Sequence, residues 1–141
     1  MIVYLVRHAR AGHRETWEGE DDRLRPLDER GQRQAEGLVA QLAERDFSRI
    51  LSSPYVRCLQ TVEPLAEARG LPVEAVDALA EGAGKAAALE LFRSLDTPAV
   101  ACVHGDLAEA LLDDRLKKGA TAVLDVSVDG VEVLERLDPP A

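Results

Sequence analysis

Ile2-Val3-Tyr4-Leu5-Val6-Arg7-His8 is the stretch on which the fold turns. Its unbroken apolar run, rich in β-branched types, predicts a strand buried on both faces, as in a parallel sheet covered by helices. The run ends on an arginine and a histidine and passes into small residues, Ala9-Arg10-Ala11-Gly12. In parallel α/β sheets, ligands bind just beyond the carboxyl ends of the strands. A guanidinium and an imidazole are therefore carried on a rigid element at the place where ligands are met. Taken alone, the segment fits equally well a strand that simply leaves for solvent.

Working outward, the same pattern recurs at Pro98-Ala99-Val100-Ala101-Cys102-Val103, which also ends on a histidine, in His104-Gly105-Asp106. Between the two, Asp28 is an N-cap for an amphipathic helix over 29–45, with Ala35, Leu38, Val39 and Leu42 at helical spacing. Gly31 and Gly37 weaken that helix modestly. Arg49-Ile50-Leu51-Ser52 reads as a short strand. Ser53 caps and Pro54 opens the next helix, which places Arg57 in its first turn, where unpaired backbone N–H groups favour anions. Pro64 predicts a kink near Thr61, and Gly70 closes the helix. Residues 73–76 form a third strand, 77–84 a flexible connector, and 85–95 an alanine-rich helix. After His104 come a helix near 107–116, Lys117-Lys118-Gly119, a strand over 120–128, a turn at Asp129-Gly130 and an antiparallel return over 131–137.

The 141 residues predict one domain, 1–141. With 46% hydrophobic residues the chain builds a real core, mostly of Leu, Val and Ala, since aromatics are 4%. A net charge of −9 argues against nucleic acid or an anionic membrane as partner. It leaves room for a small anionic substrate wherever cations cluster. Cys58 and Cys102 have no metal-type spacing and read as buried free thiols of a reducing compartment. No apolar run approaches the ~20 residues of a membrane span, and no signal-peptide pattern opens the chain; a cytoplasmic location is expected. The polar loop 9–27 is long enough to suggest function. Within it Trp17 either stacks on a ligand or caps a satellite cluster, and His13 reads as solvated.

Two strands ending in histidine, one of them preceded by arginine, are harder to dismiss than one. With Arg57 they bring two imidazoles and two guanidiniums to one edge of the sheet. Arginine forks match phosphate oxygens. A neutral imidazole is a competent nucleophile, kept deprotonated by neighbouring cations, and a second imidazole stabilises the oxygens of the group in transfer. This equipment serves phosphoryl transfer through a phosphohistidine, with no metal and no cofactor.

These residues resemble the histidine phosphatase (phosphoglycerate-mutase-like) superfamily. The resemblance rests on Arg7-His8-Ala9, on Ser53-Pro54-Tyr55-Val56-Arg57-Cys58-Leu59-Gln60-Thr61, on Val103-His104-Gly105, and on the helix entry from Arg25-Pro26-Leu27-Asp28 to Gly31 and Gln34-Ala35. It implies a three-layer α/β/α fold with a mostly parallel central sheet and a C-terminal antiparallel hairpin. It implies His8 as the phosphorylated nucleophile, and Arg7, Arg57 and His104 as the phosphate pocket with Gly105 beside it. Glu81, in Leu79-Ala80-Glu81, is implied as proton donor, against the alternative of a solvated loop carboxylate. Lys118 adds positive potential for the substrate tail, or is a solvated helix end. Ala9 departs from the usual glycine, which matters only if that backbone needs a positive φ.

The short 77–84 connector leaves no room for a substrate lid, so mutase activity is not expected. The compact size and the Arg-Pro-Leu entry resemble the SixA branch, which dephosphorylates phosphohistidine on proteins. Other segments resemble the phosphatase half of fused Nudix–histidine-phosphatase proteins, which act on nucleotides. The expected partner is a phosphorylated protein or a small phosphorylated metabolite, met by a monomer. Two other functions stay open: an idle phosphate-binding module, and a metal hydrolase using His8, His13, His104 and Asp106.

Overall fold

The strands are β1 (Ile2–Arg7), β2 (Arg49–Ser52), β3 (Val73–Ala75), β4 (Ala99–Val103), β5 (Thr121–Ser127) and β6 (Gly130–Leu137). In the computed structural model, which describes residues 1–140, they form one six-stranded sheet in the order β3-β2-β4-β1-β5-β6. β1 to β4 run parallel, and β5 and β6 run antiparallel as a hairpin at one edge. The two long buried runs therefore lie side by side at the centre, with β1 paired to β4.

Helices α1 (Glu29–Gln41) and α2 (Val56–Arg69) cover one face, and α3 (Lys85–Arg93) and α4 (Gly105–Leu112) cover the other. Alternation along β1 explains both layers: Tyr4 and Val6 pack with Leu38, Val62 and Leu65, while Val3 and Leu5 pack with Phe92, Leu107 and Ala108. The expected three-layer α/β/α architecture with its antiparallel hairpin is what the chain adopts.

Several boundaries differ from the sequence expectation. α1 ends at Gln41 rather than at 45, where Arg45 N–H turns back to the Leu42 carbonyl. α3 ends at Arg93, two residues early, as Ser94 N–H and Oγ both bond back into the last turn. α4 begins at Gly105, directly on His104, and stops at Leu112 because Asp113 takes a left-handed φ of 53°. α2 starts at Val56, with Tyr55 and not Ser53 as its N-cap. It then passes through Pro64 without a break, held against the sheet by Val62 before the proline and Leu65 and Ala66 after it. The 77–84 connector is less free than its sequence suggests. It contains a 3-10 turn, Asp77–Leu79, and Leu79 is fully buried in the core.

Candidate active site

The register of the central pair sets the site. Arg7 of β1 lies opposite Val103 of β4, so His8 and His104, each one residue further, emerge next to each other. Their ring centroids are 5.4 Å apart. His8 N–H donates to the Val103 carbonyl at 3.0 Å, which extends the ladder to His8 itself. Neither imidazole depends on a mobile loop for its place.

Each ring is oriented by its neighbours. His8 Nδ1 lies 2.8 Å from its own chain's Ala9 carbonyl. The tautomer that uses this acceptor carries its proton on Nδ1 and leaves the Nε2 lone pair for the pocket. His8 is 6% exposed. Burial, then the charges of His104, Arg57 and Arg7, lower its pKa to about 3, against the raising effect of the Ala9 bond. It is therefore neutral and nucleophilic at pH 7. His104 Nε2 lies 2.8 Å from Ser53 Oγ and 3.5 Å from Cys58 Sγ. With the Ser53 hydroxyl donating to Nε2, the Nδ1 side becomes a donor toward the cavity. Ser53 was expected only as a helix cap. Its hydroxyl instead joins the Tyr55 N–H and His104.

Arg57, in the first turn of α2, is 1% exposed. Its Nη1 donates to the Asp22 carbonyl at 2.8 Å, and its Nη2 reaches the Asp22 carboxylate at 3.1 Å and Glu81 at 2.9 Å. Asp22 also meets Arg25 at 2.9 Å and Arg14 at 3.4 Å. Burial would raise its pKa, but the Arg25 hydrogen bond and the charges of Arg57 and Arg14 outweigh it and hold the carboxyl below its ordinary range. The acidic patch of loop 9–27 thus straps Arg57 in place, a role invisible in sequence, where Asp22 is one acid among several.

Glu81 is drawn into the site. Its carboxylate accepts from Arg57 and from Arg14 Nη2 at 2.8 Å and lies 3.5 Å from His104 Nδ1. That last separation is too long for a hydrogen bond, and Nδ1 has no partner by geometry. Buried Leu79 before it and Gly82 N–H donating to the Asp106 carboxylate after it fix its position.

Arg7 Nη1 donates to the Leu116 carbonyl at 2.8 Å. Its guanidinium lies flat against Gly105, where a Cβ would come within 2.8 Å of Cζ. Gly105 is therefore required by a close approach. Ala9 answers the question its identity raised. No positive φ occurs there, its N–H donates to Thr61 Oγ1 at 2.9 Å, and its methyl packs with Ala11, Leu27 and Ala35.

All seven residues singled out from sequence, Arg7, His8, Arg57, Glu81, His104, Gly105 and Lys118, line one open cavity of about 870 Å³. His13 and Asp106 line it too, yet among the described residues no three His, Cys, Asp or Glu side chains are placed to hold a metal ion. Trp17 does not reach the cavity. Its indole N–H donates to the Asp21 carbonyl and its ring lies against Gly19. Cys58 and Cys102 are both free and buried.

Fold and pocket together define a class of protein in which imidazole and guanidinium side chains converge beyond the ends of the central strands. Within that class the chain belongs to the histidine phosphatase superfamily (branch 1), whose family model matches residues 3–91. The SixA protein histidine phosphatase complexed with tungstate shares the fold at a TM-score of 0.84 and 20% identity, over 99% of this chain and 97% of that one. A protein from Agrobacterium tumefaciens, described as a candidate SixA phosphohistidine phosphatase, matches at 28% identity and a TM-score of 0.78, over 98% of each chain. An 8-oxo-(d)GTP phosphatase of Mycolicibacterium smegmatis is 36% identical over 98% of this chain. The chain spans about half the length of that curated relative, 48%. No helix among the described residues is long and apolar enough to cross a membrane.

Proposed function

We propose that the protein is a phosphatase in which His8 Nε2 attacks phosphorus and forms a phosphohistidine that water then hydrolyses. One observation carries this reading. Among the described residues, five buried side-chain N or O atoms have no hydrogen-bond partner, and three of them are Arg7 Nε, Arg57 Nε and His104 Nδ1. Orphaned buried donors are costly. Three of them around one neutral imidazole suit a tetrahedral dianion, whose oxygens would satisfy all three while the imidazole meets the phosphorus. Glu81, within reach of the same atoms, is assigned to the leaving group and the attacking water.

For the substrate, a SixA-type role on protein-borne phosphohistidine is supported by the open mouth and the similarity to SixA folds. A small-molecule role is supported by the nucleotide-directed relative and by the cationic cavity wall. In either role the protein acts as a cytoplasmic monomer. The test is hydrolysis of an aryl phosphate in the presence of a chelator, together with trapping of an acid-labile phosphoenzyme. Turnover is expected to survive chelation and to vanish in His8→Ala; full activity in His8→Ala overturns the proposal. A panel of a phosphohistidine protein, nucleotides and sugar phosphates then separates the substrate classes.

A further inference from the structure

One wall of the cavity is out of proportion to a single phosphate. The chain's net charge is −9, yet Arg7, Arg115 and Lys118 face the same space, with Arg10 close behind. None of these four has a carboxylate within ion-pair distance among the described residues, whereas Arg25, Arg45, Arg49 and Arg57, all buried or half-buried, each have one; Arg115 is exposed, and Arg7 and Lys118 are half-buried. Asp106 and Glu109 also border the cavity and offset part of the Arg7 charge without pairing with it, Asp106 while accepting from the Gly82 N–H.

The cluster is built by backbone. The segment after α4 wraps the end of β1: the Leu116 carbonyl accepts from Arg7 Nη1, the Ala120 carbonyl accepts the Arg7 N–H, and Gly119 N–H donates to the Arg7 and His8 carbonyls at 3.1 and 3.0 Å. Gly119 has a φ of +81°, and a Cβ there would press on Gln34. This hook fixes Lys118, half-buried, beside Arg7. Burial first, then Arg7, Arg10, Arg25 and Arg115, pull the Lys118 ammonium below its ordinary range. Arg7 is the shared member, since it also acts on His8. Unpaired cations crowded together in a partly dehydrated wall destabilise the free protein and are relieved by a bound anion. The phosphate at His8 is already met by Arg57, His104 and Arg7. The cavity offers no aromatic ring for stacking; its lining is imidazole, guanidinium, ammonium and carboxylate.

We infer that the cavity is built for a substrate with two linked phosphate groups, the terminal one at His8 and the next held by Arg7, Lys118 and Arg115. This rests on the phosphatase reading and narrows it. His8 Nε2 forms a bond to the terminal phosphorus as the bridging P–O bond breaks. The electron pair leaves on the inner phosphate, which departs as a monoester. Water then cleaves the N–P bond, releasing inorganic phosphate and returning the lone pair to Nε2. A phosphate leaving group needs no proton at departure, so for such a substrate Glu81, whose carboxylate accepts from two arginines, is left to the attacking water alone.

The experiment compares binding of methylenediphosphonate and methylphosphonate by calorimetry in wild type, Lys118→Gln/Arg115→Gln and Lys118→Arg. Wild type is expected to prefer the diphosphonate by about tenfold or more, the worth of one added charge-assisted contact. The double variant is expected to lose most of that preference, and Lys118→Arg to keep it. Equal affinity for the two probes in wild type, or a loss in the double variant that is the same for both, overturns the inference. The readout is binding, so absence of turnover in the aryl phosphate assay would sink the phosphatase reading while leaving this preference measurable.

Discussion

The most direct check on the site is the acid sensitivity that His8 imposes on the fold. An unfolded histidine titrates near 6.5, whereas burial and the surrounding cations lower His8 to about 3. Between these values the unfolded chain binds the extra proton and the native state does not, so stability rises with pH and falls on acidification. Each unit within that window is worth about 1.4 kcal/mol, so the loss from pH 7 to pH 5 is about 2 kcal/mol. At 6% exposure, solvent screening takes little from this. His8→Asn keeps an amide N–H near the Nδ1 position, and with it the bond to the Ala9 carbonyl, but does not titrate. Urea denaturation at pH 7, 6 and 5 in phosphate-free buffer should give wild-type and variant stabilities that draw together or cross toward acid, by about 2 kcal/mol relative to their difference at pH 7. The same neutrality predicts no acid limb near pH 6.5 in wild-type kcat/KM. Stability curves that stay parallel from pH 7 to pH 5 would refute a buried, neutral His8.

Other outcomes test the supports around it. Gly105→Ala is expected to push the Arg7 guanidinium aside and cut kcat/KM by about 10²-fold, with little change in the thermal midpoint; unchanged kinetics would mean that Arg7 is not confined there. Thr61→Val removes the acceptor of the buried Ala9 N–H and should cost about 1–3 kcal/mol in urea denaturation. Gly31→Ala is a sign test. Helix propensity favours alanine by about 1 kcal/mol, but a Cβ there runs into the Arg10 carbonyl, so destabilisation is expected and a gain in stability would contradict the packing.

How much of this could be read from the chain follows from which interactions are local. Strand runs that end in Arg7-His8 and His104, the Asp28 cap, and Arg57 at a helix start are local patterns, so their places in the fold were legible. Helix ends were not, because Leu112 stops its helix through the backbone conformation of Asp113 and Ser94 through a bond back to its own turn. Ser53 looked like a cap because Ser-Pro is a helix opening; only the third dimension brings it to His104. Asp22 and Arg14 carried no signal at all. They lie in a polar loop whose composition suits solvent, and their partners, Arg57 and Glu81, are distant in sequence. Pro64 announced a kink, and the helix nonetheless runs through it unbroken, with packing on both sides. The place of Arg115 on the cavity wall was hidden for the same reason as that of Asp22, since charge clusters formed by separate segments leave no trace in any one of them.

The alignment of β1 with β4 has a further consequence. The two imidazoles are neighbours only while two strands nearly a hundred positions apart are zipped to their ends, and Arg57 arrives only when α2 is seated on that same zipper. No fragment, and no half-assembled intermediate, can hold the three together. Recovery of catalysis during refolding should therefore lag behind the return of helical signal and coincide with the slowest step of sheet closure, which makes turnover a clock for the completion of the fold.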